Sequence, residues 1–253
     1  MIETGLNIER RGALLILTID RESRRNALDS ATSAALDAAI EKGEQDPDVA
    51  VIILTSTGDR AFCSGMDMKE AATIGPGCGL IPGRGFGGIT ERRRSKPLIA
   101  AINGAAVAGG FEIALACDIV IAADHSIFAL AEVKRGMFAF AGGIQRLARM
   151  VPRQTALALL LTGEPISATR MFELGLVSEV VAQSDLKDRA IAVGDLIASY
   201  SQEGVRNAKL LHDLAADAAI DDSLRFGRAW GEATLGSDAI RQEIVAFAAS
   251  GKA

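Results

Sequence analysis

The sequence predicts an α/β chain with an all-helical C-terminal part, and three observations carry that reading. Apolar runs of strand length occur at Ala13–Ile19, Val49–Thr55, Leu98–Ile102 and Ile119–Ala122, rich in Ile, Val and Leu and bounded by turn or polar residues. Helix-like stretches separate them, and strands that alternate with helices imply a largely parallel sheet system. From Pro152 onward helix follows helix, interrupted by one short strand at Val177–Val181.

Taken in order, Ser30–Gly43 is the first clear helix, with Asp29 or Ser30 as N-cap and Gly43 as stop. The unbroken apolar run Val49–Leu54 predicts a strand buried on both faces. Gly75–Gly88 is rich in Gly and Pro, lacks periodicity and reads as a mobile loop. Within it Gly83, Gly85 and Gly88 satisfy G-x-G-x-x-G, but a dinucleotide fingerprint needs a preceding strand, and the sequence offers none. Arg92, Arg93 and Arg94 read as a solvated helix face. The later helices are expected at Gln154–Thr162, Ala168–Leu174, Leu186–Ser201, Val205–Ala219, Asp222–Leu235 and Ala239–Ala249.

Composition narrows the chemistry. The 253 residues are 49% hydrophobic and 23% charged, which is ordinary for a packed globular chain. A net charge of −5 supplies no basic field, which argues against nucleic acid as a partner. Cys63, Cys78 and Cys117 are odd in number and widely spaced, so neither a disulfide framework nor a zinc site is expected, and a reducing cytoplasm fits. The longest uncharged run, Pro97–Phe111, is too short to span a bilayer, and Met1–Arg11 does not read as a signal peptide. With only His125 and His212 present, both read as structural or surface residues, the chemistry falls to carboxylates and backbone dipoles.

Three segments bear that chemistry. In the first, Ala61-Phe62-Cys63-Ser64-Gly65-Met66-Asp67-Met68-Lys69-Glu70, the glycine before Met66 allows a backbone NH to turn toward a ligand. The second is Asn103-Gly104-Ala105-Ala106-Val107-Ala108-Gly109-Gly110-Phe111-Glu112, whose small residues permit close approach. A helix starting near Gly109 would aim its free NH groups outward, an oxyanion site in outline. Glu112 then falls in the first helical turn, where it also complements the helix dipole. In the third, Phe128-Ala129-Leu130-Ala131-Glu132-Val133-Lys134-Arg135-Gly136, Glu132 follows apolar residues that would raise a carboxyl pKa, though Lys134 and Arg135 equally suit a surface glutamate.

Together these segments resemble the enoyl-CoA hydratase/isomerase (crotonase) superfamily. The likeness runs from Arg21-Glu22-Ser23-Arg24-Arg25-Asn26-Ala27-Leu28 to Thr162-Gly163-Glu164-Pro165 and Leu174-Gly175-Leu176-Val177. The resemblance implies a spiral of ββα units over residues 1–195 and a C-terminal helical region, 196–253, that assembles homotrimers or homohexamers. It implies a coenzyme A thioester as substrate, no separate cofactor and no metal. The NH groups of Met66 and Gly109 would form the oxyanion hole, and Glu112 and Glu132 the acid/base pair of a hydratase. Arg24, Arg25, Ala61, Ser64, Asp67, Met68 and Lys69 would meet the coenzyme A portion, with Arg21 a further candidate for its phosphates.

Departures from the family pattern bear on substrate more than on fold. Glu22 stands where proline is usual, and Gly136-Met137-Phe138-Ala139-Phe140-Ala141 replaces a Pro-Gly-containing stretch, so that Phe140 is expected to shorten the acyl pocket. The Gly-Phe-Glu step and the Gly-rich loop also resemble the carnitinyl-CoA dehydratase branch.

Overall fold

The computed structural model describes residues 4–75, 77–235 and 238–249, so Pro76 of the expected loop and the ends of the chain lie outside the described residues. It divides into two compact units, Met1–Gln202 and Glu203–Ala253.

In the first unit β1 (Leu6–Arg11) and β2 (Leu14–Ile19) form an antiparallel hairpin, followed by α1 (Ser30–Gln45). Three repeats of one pattern come next. β3 (Val51–Ser56), β4 (Ala61–Cys63) and α2 (Met68–Ile74) make the first; after a small hairpin of β5 (Leu80–Ile81) and β6 (Gly85–Phe86), β7 (Leu98–Ile102), β8 (Ala105–Val107) and α3 (Gly109–Ala116) make the second. The third is β9 (Ile119–Ala123), β10 (Ile127–Ala129) and a 3-10 turn at Ala131–Arg135. Each repeat sends its first strand to one sheet, in the order β1-β2-β3-β7-β9-β12 with β12 at Glu179–Val181, and its second to another, β11-β10-β8-β4 with β11 at Ile166–Ser167. Successive repeats advance by one strand in both sheets, which is the spiral of ββα units. α4 (Gly143–Met150), α5 (Arg153–Thr162), β11 (Ile166–Ser167), α6 (Ala168–Glu173), β12 (Glu179–Val181) and α7 (Leu186–Ala198) complete the unit.

The inner strands of the larger sheet, β2, β3 and β7, are buried on both sides because they are apolar at nearly every position, whereas β1 is an exposed edge strand. Leu15, Leu17, Ile52, Leu54, Leu98 and Ala100 face one core; the alternate residues Leu14, Ile16, Val51, Ile53, Ile99 and Ala101 face the other, as the two-residue period of a strand requires. Leu186, Ala190 and Ile191 of α7 cover that second face.

Three expectations need correction. Gly43 does not stop α1: the helix continues to Gln45, and a Cβ at Gly43 would lie 2.6 Å from Leu15 Cδ2, so the glycine is there for close packing on the sheet. Gly75–Gly88 is not a featureless mobile loop, since β5 and β6 pair antiparallel and bury Cys78 and Phe86; Gly83 and Gly85 serve their connection. Arg92 and Arg94 are not solvated and not helical. The Arg92 side chain, 5% exposed, pairs with Asp37 and Glu41 of α1, and Arg94 donates to the Ala116 carbonyl.

The second unit consists of α8 (Gln202–Asp217), α9 (Ile220–Leu235) and α10 (Asp238–Ala249), with Phe226 stacked on Trp230 at 5.7 Å. No described helix is long and apolar enough to cross a membrane.

Candidate active site

Strands β4, β8 and β10 are neighbours and parallel, so their C-terminal ends open on the same side of the sheet. Each of the three chemistry-bearing segments leaves one of those ends, and this is how stretches far apart in sequence meet around a single cleft of about 550 Å³. Met66, Gly109, Glu112 and Glu132 all line it, as do Arg24, Arg25, Ser64, Asp67, Met68 and Lys69. Ala61 does not. It is buried in β4, where its carbonyl accepts from Asn26.

The backbone at Met66 is held by a parallel bridge to Leu28: Leu28 NH donates to the Gly65 carbonyl at 2.9 Å, and Asp67 NH to the Leu28 carbonyl at 2.9 Å. In that pattern the flanking peptide groups face Leu28, and the NH of Met66 itself points the other way, engaging no described acceptor. Gly109 opens α3, where the first NH groups have no intrahelical partner. Ala108 before it holds φ 51°, a strained left-handed value for a residue with a Cβ, and such strain concentrates where geometry serves function. The two NH-bearing loops touch: a Cβ at Gly65 would lie 3.3 Å from the Gly109 nitrogen. A Cβ at Gly109 would meet the Phe86 ring at 2.5 Å, so only glycine fits against it.

Glu112 is 4% exposed, and its Oε1 accepts from the Gly143 NH at 3.0 Å. Burial pushes its pKa up to about 7, with the Glu132 carboxyl adding to the rise and the NH groups of Gly143 and Ala141 opposing it. Glu132 is half-buried. Its pKa is also raised by burial, and its Oε2 has no hydrogen-bond partner. The surface-glutamate alternative falls away, because Lys134 pairs with Glu164 at 2.7 Å instead. Two carboxyl groups with raised pKa beside unused backbone NH groups can exchange protons with a substrate whose oxygen gathers charge.

The basic residues divide into two groups. Arg21 is consumed by the fold, pairing with Asp29 at 2.6 Å and Asp67 at 2.9 Å, while Asp67 caps α2 through the NH groups of Lys69 and Glu70. Arg24, Arg25 and Lys69 stand exposed on the cleft rim. Sequence reasoning missed the wall that the β5–β6 hairpin supplies through Leu80, Phe86 and Cys78, whose thiol burial pushes up to about 11. It also missed Gly143 as the anchor of Glu112, although the pair Gly142-Gly143 was a visible signal. Met137, Phe138 and Phe140 line the cleft rather than the core, Phe138 and Phe140 meeting edge to face at 6.1 Å.

A model of the enoyl-CoA hydratase/isomerase family matches residues 9–253. The chain belongs to that family. Among curated family relatives, a carnitinyl-CoA dehydratase of Salmonella paratyphi A is 34% identical over 226 residues, covering 88% of this chain and 86% of that protein. Among solved structures, an enoyl-CoA hydratase from Mycobacterium tuberculosis superposes with a TM-score of 0.92 at 36% identity, covering 98% of this chain and 97% of that one. A carnitinyl-CoA hydratase from Mycobacterium avium does so with a TM-score of 0.80 at 36% identity and the same coverage. The α/β spiral is thus the fold of this family, whose members act on coenzyme A thioesters.

Proposed function

We propose that this enzyme reversibly adds water across the double bond of a 2-enoyl-CoA thioester to give the 3-hydroxyacyl thioester. The observation that carries the reading is the pair Glu112 and Glu132, both with raised pKa, in the cleft that Met66 and Gly109 also line. As water adds, negative charge moves onto the thioester oxygen. The NH groups of Met66 and Gly109 receive it, a preorganised donor of this kind contributing about 3 to 4 kcal/mol. Glu112, fixed by the Gly143 NH, acts as base toward water. Glu132, with a free oxygen, delivers a proton to the α-carbon; in the reverse direction the roles exchange. Coenzyme A enters as part of the substrate, its phosphates met by Arg24, Arg25 and Lys69, and the scheme needs no further cofactor.

Likeness to carnitinyl-CoA dehydratases supports a second reading, the same addition or elimination on a different acyl group. Assaying the purified chain against 2-enoyl, 3-hydroxyacyl and carnitinyl thioesters tests both: turnover of the first two supports hydration of simple acyl chains, turnover of the carnitinyl thioester alone supports the second, and turnover of none rejects both.

Assembly is proposed on separate grounds. Within α9 the side chains of Leu224, Phe226, Trp230 and Leu235 are exposed, an apolar set suited to a second copy of the chain in a homotrimer or homohexamer. Light scattering that gives a monomer mass at assay concentration rejects it.

A further inference from the structure

One cation in the cleft has no task in the scheme above. Arg135 ends the 3-10 turn that carries Glu132, lines the cleft and makes no hydrogen bond or ion pair with any described residue. Its neighbours are otherwise engaged. Lys134 takes Glu164, and the arginines set into the fold are occupied: Arg21 by Asp29 and Asp67, Arg92 by Asp37 and Glu41, Arg146 by the Thr90 carbonyl at 2.5 Å.

Topology says which part of a substrate this guanidinium faces. Lys69 follows β4, Gly109 follows β8 and Arg135 follows β10, three adjacent parallel strands in that order. Arg25 belongs to the β4 side, its carbonyl accepting from the Ser64 NH at 3.2 Å. With strands about 4.8 Å apart, Arg135 stands about 10 Å across the sheet from the Lys69 side, with Gly109 between. A thioester whose oxygen rests at Gly109 and whose phosphates meet Lys69, Arg24 and Arg25 therefore extends its acyl group toward Arg135. There Met137 and Phe138 give the cleft an apolar wall, which strengthens any charge interaction made beside it. The other ionisable groups facing this side are Glu112, buried and held by the Gly143 NH, and Glu132, half-buried, and neither forms an ion pair with Arg135 among the described residues, which leaves its guanidinium open to a ligand.

Resting on the proposed hydratase reading, we infer that Arg135 selects 2-enoyl-CoA thioesters whose acyl tail ends in a carboxylate, and disfavours tails that end in a cation. The guanidinium fork matches a carboxylate in two parallel hydrogen bonds and repels a quaternary ammonium.

The test uses three 2-enoyl thioesters of matched length that end in a carboxylate, a methyl or a trimethylammonium group, with kcat/KM measured on the full chain, on Arg135→Gln and on Arg135→Lys. The ratio of carboxylate to methyl should exceed one in the native enzyme, fall about tenfold in Arg135→Gln and be largely kept in Arg135→Lys, with the trimethylammonium tail poorest in the native enzyme. A ratio that Arg135→Gln leaves unmoved, or a native preference for the cationic tail, overturns the inference. Affinities for the saturated counterparts, measured by calorimetry, should show the same order. They separate the two claims: hydration without tail preference sinks the selectivity and leaves the hydratase reading, whereas tail preference in binding without any hydration does the reverse.

Discussion

Replacing Glu112 by glutamine should make the protein more stable at alkaline pH while abolishing most of its turnover. Glutamine keeps the shape and the acceptor for the Gly143 NH but carries no charge to desolvate. In the native chain the Glu112 carboxyl has a pKa near 7, against an ordinary 4.5. A raised folded-state pKa means that the folded state holds the proton more tightly than the unfolded state. The associated stability is therefore fully present below about pH 4.5 and is lost progressively until pH passes about 7. Raising the carboxyl pKa from 4.5 to about 7, at about 1.4 kcal/mol per pH unit, amounts to about 3 kcal/mol lost across that window. Glu112→Gln escapes the loss, so its stability relative to the native enzyme should grow by about 3 kcal/mol from pH 4.5 to pH 8. Urea unfolding at closely spaced pH values, read by circular dichroism, measures this directly. A stability difference that stays flat with pH, or a variant destabilised throughout, would refute the placement of a strained ionised carboxylate at this site.

Other outcomes follow from the same geometry. Turnover should rise with pH through about 7 as Glu112 loses its proton, and a pH–rate profile lacking that limb would remove Glu112 as base. Glu132→Gln should lower kcat by about 10² to 10⁴-fold with thioester affinity nearly intact, and the double variant with Glu112→Gln should lose far less than the product of the single losses. Near-normal hydration by either single variant would favour single-glutamate isomerase chemistry. Phe140→Gly should raise activity on longer acyl thioesters relative to short ones, because the ring lines the cleft and is 55% exposed; an unchanged chain-length profile would show that the ring does not bound the acyl group. Gly110→Ala would bring a Cβ within 2.0 Å of the Cys63 carbonyl oxygen and should cost about 1 to 3 kcal/mol of stability, seen as a lower urea midpoint.

The edge strand β1, polar at Asn7, Glu9, Arg10 and Arg11, leaves no apolar run, but β2, β3, β7 and β9 of the larger sheet were legible because double-sided burial leaves one, as at Val51–Leu54. β4, β8 and β10, which carry the site, were not. At three residues each, and with alanine prominent, they fall below the length at which strand periodicity speaks. Their neighbouring segments were recognisable as motifs all the same, so Met66, Gly109, Glu112 and Glu132 could be named before their strands could. The basic stretch Arg92–Arg94 misled because charge reads as solvation until its partners are known, and Asp37 and Glu41 lie on a helix some fifty residues earlier. Phe86 and Arg135 carry no local signal, since a wall residue is defined by what it faces across the cleft.

The central claim, water added across an enoyl thioester by two carboxylates, is tested most directly by running the reaction in deuterium oxide and in oxygen-18 water and locating the isotopes by nuclear magnetic resonance and mass spectrometry. The account predicts a 3-hydroxyacyl thioester with a solvent oxygen on the β-carbon and one solvent deuteron on the α-carbon. Deuterium appearing without solvent oxygen, which marks double-bond migration, or solvent oxygen in a released free acid, which marks thioester hydrolysis, would contradict it.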